Sequence, residues 1–139
     1  MESTGMLETP RLSSEAIELM WRAGRLKAKL QPQQKLVYES IHKCSPEDIF
    51  CVICSRGFGK TFIGCDFAIE TARQQTEPCS ILIISSTLKK LRTIVRPNFQ
   101  AILADCPPEF RPHENRQDNY WEFPGGVRIH LIAGEKGHI

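Results

Sequence analysis

Several features that would settle a function class are missing from this chain. No apolar run in its 139 residues approaches the roughly 20 needed to cross a bilayer as a helix. The first residues carry Glu2 and Glu8 and no apolar core, so they do not read as a secretory signal. An excess of one charge is lacking as well: 18 basic against 16 acidic residues leaves a net charge of +2, too little to argue for nucleic acid. There are no internal repeats or low-complexity tracts. Six cysteines without a secretory signal point to a reducing compartment and free thiols. Cys51 and Cys54 are spaced like a metal or redox pair, but no second Cys or His pair completes a zinc set. On an extended strand side chains three apart face opposite ways, so both read as buried structural thiols. Hydrophobic content of 41% and charged content of 24% are those of a globular protein with one modest core.

What is present starts at Ile49-Phe50-Cys51-Val52-Ile53-Cys54. Six apolar residues between Asp48 and Ser55 predict a short, fully buried strand. Ser55-Arg56-Gly57-Phe58-Gly59-Lys60-Thr61 follows, and then a helical pattern from Phe62 to Ala72. A Gly-Lys-Thr alone can be a lysine on an ordinary turn. Between a strand and a helix it predicts a phosphate site. Backbone N–H groups of the loop and the helix N-terminus would face the phosphates, Lys60 would reach the β/γ-phosphates, and the Thr61 hydroxyl would ligate Mg²⁺.

Residues 1–12, with Gly5 and Pro10, predict a poorly ordered start. Ser13 or Ser14 can cap a helix with Ile17, Met20, Trp21, Ala28 and Leu30 on its apolar side and Arg22, Arg25, Lys27 and Lys29 on the other. Pro32 opens a second helix with Leu36, Val37 and Ile41 as its buried stripe. Ser80 to Ser85 predicts a strand buried on both faces of a parallel sheet, joined to the first as a βαβ unit. Ser86 or Thr87 caps a further helix through Leu91, Val95, Phe99 and Leu103, which Pro97 should kink or split. Residues 119–123 and 127–132 predict a hairpin around Pro124-Gly125-Gly126. The chain then runs into Gly134–Ile139, which looks like the middle of a loop.

One element of a P-loop ATPase does not appear: a strand ending in Asp or Glu to hold the metal shell and activate water. Ala101–Asp105 continues a helical spacing, so Asp105 reads as a helix end. Asp66 and Glu70, one turn apart after Lys60, read as a solvated helix face.

The order Leu30-x-Pro32-x-Gln34, the Ser55–Thr61 loop, Ile81–Thr87, the 121–132 hairpin and Gly134–Gly137 resembles the N-terminal ATPase domain of the large terminase subunit, the DNA-packaging motor of tailed bacteriophages. The likeness covers roughly residues 30–139, and terminases typically carry Ser-Arg before a deviant Gly-Lys-Thr loop. It implies an α/β P-loop NTPase fold, with a parallel sheet, flanking helices and a hairpin. Over residues 13–139 the domain would be incomplete, lacking the Walker B and nuclease regions. It also implies ATP and Mg²⁺ as cofactors. Gln34 would recognise adenine. Ser55, Arg56, Gly57, Phe58, Gly59, Lys60 and Thr61 would cradle the nucleotide, with Arg56 as a finger in cis and Lys60 catalytic. Implied partners are double-stranded DNA, the portal and the small terminase subunit, in the cytoplasm of a bacterial host, with no membrane partner. A partner chain could carry the missing strands. Two other readings stay open: a helicase-like ATPase fragment, and a non-catalytic nucleotide- or partner-binding piece of a split gene.

Overall fold

The computed structural model describes residues 12–53 and 58–134. The expected disorder of residues 1–12 falls outside these residues, except for Leu12. Helix α1, Ser14–Ala23, starts where the sequence places it, with the Ser13 hydroxyl accepting from Ala16 N–H at 3.1 Å. It ends at Gly24, whose φ of 69° closes the helix with N–H bonds back to Met20 and Trp21. The single long helix expected through Leu30 is therefore two pieces, α1 and a 3₁₀ turn, Lys27–Lys29. Helix α2 is Pro32–His42. Its buried residues are Gln34 and Tyr38, while Leu36 is 66% exposed, so the expected stripe of Leu36, Val37 and Ile41 is rotated. The reason is polar: Tyr38 turns inward to donate to a carboxylate on the next helix.

Helix α3, Lys60–Gln74, is the longest element. Strand β1, Ser80–Ser85, follows. Thr87 caps α4, Leu88–Lys90, by accepting from Lys90 N–H at 3.0 Å. The helix then widens into a π-helical turn, Leu91–Val95, and resumes as α5, Arg96–Leu103. Pro97 neither ends nor splits the run. It has no N–H to donate, and it follows directly on the π-helical turn, where the helical hydrogen-bond ladder is already irregular. The three-residue strand β2, His113–Asn115, had no signal in the sequence. The hairpin of β3, Tyr120–Glu122, and β4, Arg128–Ala133, is as expected.

The strands form one mixed sheet in the order β1-β4-β3-β2. Only β1 and β4 are parallel, in register from Ser80 opposite Arg128 to Ser85 opposite Ala133. The α/β class and the hairpin are present, but the expected parallel βαβ pairing of residues 49–54 with 80–85 is not. The expected P-loop strand is absent too: described residues 49–53 form no strand, and Ile49 and Ile53 are 92% and 96% exposed. A run becomes a strand only where an edge accepts its N–H and C=O groups. The parallel partner of β1 comes instead from the hairpin, 48 positions away at each register pair. Cys51 is consequently exposed rather than buried, and Cys54 lies outside the described residues.

One sheet face is closed. Ile129, Leu131, Ala133 and Trp121 pack with Ile69 of α3 and with Val95, Phe99 and Ile102 of the helical run. Phe99 stacks on Trp121 with centroids 5.9 Å apart. Side chains as buried as Trp21, Ile69, Phe99 and Ile129 stabilise the fold by about 1.5–3 kcal/mol each. The opposite face of β1 is open, with Leu82 and Ile84 at 55% and 63% exposure, so β1 is not the doubly buried strand expected.

Candidate functional site

Lys60 and Thr61 are the first two residues of α3, and Gly59 is its N-cap at φ 86°. The side chains of Ser13 and Thr87 cap α1 and α4, but no side chain caps α3. Gly59 has no side chain to cap with, and the first turn of this 15-residue helix carries the positive end of its dipole. The start of α3 lines a cleft of about 660 Å³, with Gly59, Lys60, Thr61, Phe62 and Ser85 toward the helix start and Lys90, Ile94, Val95 and Asn98 from the helical run after β1. Ser85 is the last residue of β1, so the cleft opens at the carboxyl end of a parallel strand. The helical run contributes its π-turn and its flanks, an irregularity often found beside functional sites.

Gln34 reaches this loop from α2, but not as a free base reader. Its Oε1 accepts from Gln31 N–H at 2.8 Å, and its Nε2 donates to the carbonyls of Phe58 and Gly59 at 3.2 and 3.4 Å. Both ends of the amide are thus spent on backbone, and the residue is 7% exposed. Gly59 is required twice over. Its φ disfavours any side chain, and a Cβ there would overlap Gln34 Nε2. Of the residues expected in the site, Gly59, Lys60 and Thr61 line the cleft. Gln34 and Phe58 stand behind it; Phe58 packs with Leu30, Tyr38 and Ile63. Ser55, Arg56 and Gly57 lie outside the described residues, so the expected arginine finger does too.

The cleft chemistry suits a multi-oxygen anion. Two lysines and the oxygen-bearing side chains of Thr61, Ser85 and Asn98 line it, with no carboxylate among the described lining residues. Mg²⁺ is held in proteins by a few carboxylates together with substrate phosphates and water. These residues therefore fit a magnesium ion brought by phosphates, with Thr61 as its protein ligand, and not a free ion. No group of three metal-binding side chains occurs among the described residues.

Behind the cleft, α3 is fastened through two carboxylates that the sequence spacing assigned to solvent. Glu70, 1% exposed, accepts from Leu26 N–H at 2.8 Å and from the Tyr38 hydroxyl at 2.7 Å, and its other oxygen lies 2.7 Å from His42 Nε2. Burial and the Glu70 carboxylate push the Tyr38 hydroxyl well above its ordinary pKa. Asp66 is 0% exposed, and neither of its oxygens has a hydrogen-bond partner among the described residues. Burial, and next the nearby Glu70 charge, push its carboxyl up to about 8, with Lys29 opposing. Asp66 is therefore a neutral acid near pH 7. Asp105 takes no place in the cleft. Its carboxylate accepts from Trp21 Nε1 at 2.9 Å and lies 2.8 Å from Lys29 Nζ, tying α1 and the 3₁₀ turn to the end of α5.

The sequence missed Ser85, Lys90 and Asn98 as cleft residues. Their signal was weak: Ser85 ends a strand and Lys90 lies in a short helix, but only the fold brings both into one cleft with Lys60. No family model matches this chain, nor does any curated protein or solved structure.

Proposed function

We propose that the chain binds ATP with Mg²⁺, as the nucleotide-binding part of an ATPase like the large terminase subunit. The observation that carries this reading is the pair Lys60-Thr61 opening α3 behind a left-handed Gly59, onto a cleft at the carboxyl end of β1. Lys60 neutralises the β/γ-phosphates, the first-turn N–H groups of α3 donate to them, and Thr61 takes one position of the Mg²⁺ shell. Lys90 adds a second cation from the helical run after β1. Gln34 holds the loop carbonyls and sets where the N–H groups point. In this role the wider motor would act on double-stranded DNA with a portal and a small terminase subunit, inside a bacterial host.

Calorimetry with Mg²⁺-ATP tests the site: Lys60→Ala should abolish binding, and equal affinity in wild type and variant would overturn the reading. One observation also favours a second, non-catalytic reading. No carboxylate is among the described residues that line the cleft, so none of them is placed to polarise the attacking water. The chain alone would then bind nucleotide with little turnover. Robust phosphate release that Lys60→Ala removes would refute this.

A further inference from the structure

The two edges of the sheet differ. Strand β2 is three residues long, follows Pro112 and carries Glu114, devices that discourage further pairing. Strand β1 is six residues long, Ser80-Ile81-Leu82-Ile83-Ile84-Ser85, with no proline and no charge. It pairs with β4 alone, so its other edge has no strand partner among the described residues. The outer face differs in the same way. Over β4 and β3 it is closed by polar contacts: Arg128 Nε lies 2.8 Å from Glu122, the Arg128 guanidinium sits 4.3 Å from the Tyr120 ring centroid, and Tyr120 lies 5.5 Å from His130. At the β1 corner Leu82 and Ile84 meet no such cover.

We propose that β1 is a dimerisation edge: two copies of this chain pair their Ser80–Ser85 strands antiparallel, joining two four-stranded sheets into one. The strand is close to self-complementary, reading Ser-Ile-Leu-Ile-Ile-Ser forwards and Ser-Ile-Ile-Leu-Ile-Ser backwards. A two-fold axis normal to the sheet keeps each face with its counterpart. Centred on Ile83, it sets Leu82 of each copy opposite Ile84 of the other, so the two exposed apolar side chains cover each other. The charges at the strand ends agree with this direction. Glu77 precedes β1, and Lys89 and Lys90 follow it; antiparallel pairing brings ends of opposite sign together, and parallel pairing brings like ends together. Such an edge is small, so the dimer is reversible. The inference is independent of the nucleotide reading.

Sedimentation of the whole chain over about 1–200 µM tests it. The expected result is a concentration-dependent monomer–dimer equilibrium. Leu82→Lys and Ile84→Lys should each weaken it roughly tenfold or more, since every substitution enters the interface twice. Ile53→Lys should leave it unchanged. A monomer at every concentration would overturn the proposal, as would species beyond a dimer. So would association that survives both β1 variants or is lost in Ile53→Lys. If a β1 variant fails to fold, amide exchange in the wild type reads the same ladder: protection of Ser80–Ser85 should rise with concentration, and no rise counts against the dimer.

Discussion

Two wholly apolar runs, Ile49–Ile53 and Ile81–Ile84, meet opposite fates in this molecule. The second is strand β1, paired along its length to Arg128–Ala133, with Ile81 and Ile83 turned toward the helices. The first is exposed coil, with Ile53 at 96% exposure. Both are apolar, and both follow a polar turn. What separates them is a partner, because extended backbone in a folded protein must place its N–H and C=O groups on another strand or on water. An apolar run is a candidate for a strand, and the edge it meets decides.

The same substitution made on each side of this contrast should have very different costs. Ile129→Ala removes a side chain with 0% exposure that sits opposite Ile81 in the ladder. It should destabilise the fold by about 2–5 kcal/mol in a denaturant titration. A loss near zero would mean that the sheet's closed face is not the core.

The block that closes that face carries its own pH signature. Asp66 is raised to about 8 in the folded chain, above its unfolded value, so the folded state holds a proton that the unfolded state releases. Stability from this group is intact below about pH 4 and falls by up to about 1.4 kcal/mol per pH unit until about pH 8, where the loss levels off. Asp66→Asn should flatten that slope and raise the melting temperature at pH 8. An unchanged slope would show that Asp66 is hydrated in solution.

Gly59→Ala, at the start of α3, tests how tightly the closed block holds the cleft. A left-handed alanine costs about 1–2 kcal/mol, and its Cβ displaces Gln34 Nε2. Loss of Mg²⁺-ATP binding greater than the loss of stability is the expected pattern, checked by calorimetry beside a melt. At the bottom of the scale, Ile53→Ala in the open run should change stability by less than about 0.5 kcal/mol. A cost above 2 kcal/mol would erase the contrast, because it would mean that the run is buried in solution.

Much of the local architecture was legible in advance, and each success has a local cause. Ser13 and Thr87 were named as possible caps because a hydroxyl there reaches an N–H three residues on. The helix after Gly59 and the hairpin around Pro124 follow from pattern and turn chemistry within a few residues. The placement of Lys60 and Thr61 at a helix start was legible for the same reason. The failures involve distant residues. Asp66 and Glu70 look solvated by their spacing, yet Glu70 is satisfied by Leu26, 44 residues away, and by Tyr38, 32 away. The amide of Gln34 is claimed by carbonyls 24 and 25 positions on.

The sequence by itself determined where several helices begin, where the chain turns, and that a lysine and a threonine would stand at a helix start. Those outcomes rest on φ/ψ preferences and hydrogen bonds between near neighbours. Only the tertiary structure decided which apolar run became a strand, which carboxylates were buried, and that Ser85, Lys90 and Asn98 would line one cleft with Lys60. Burial and strand pairing depend on what other segments supply in space, and nothing within a few residues of Asp66, Ile53 or Ser85 specifies those partners.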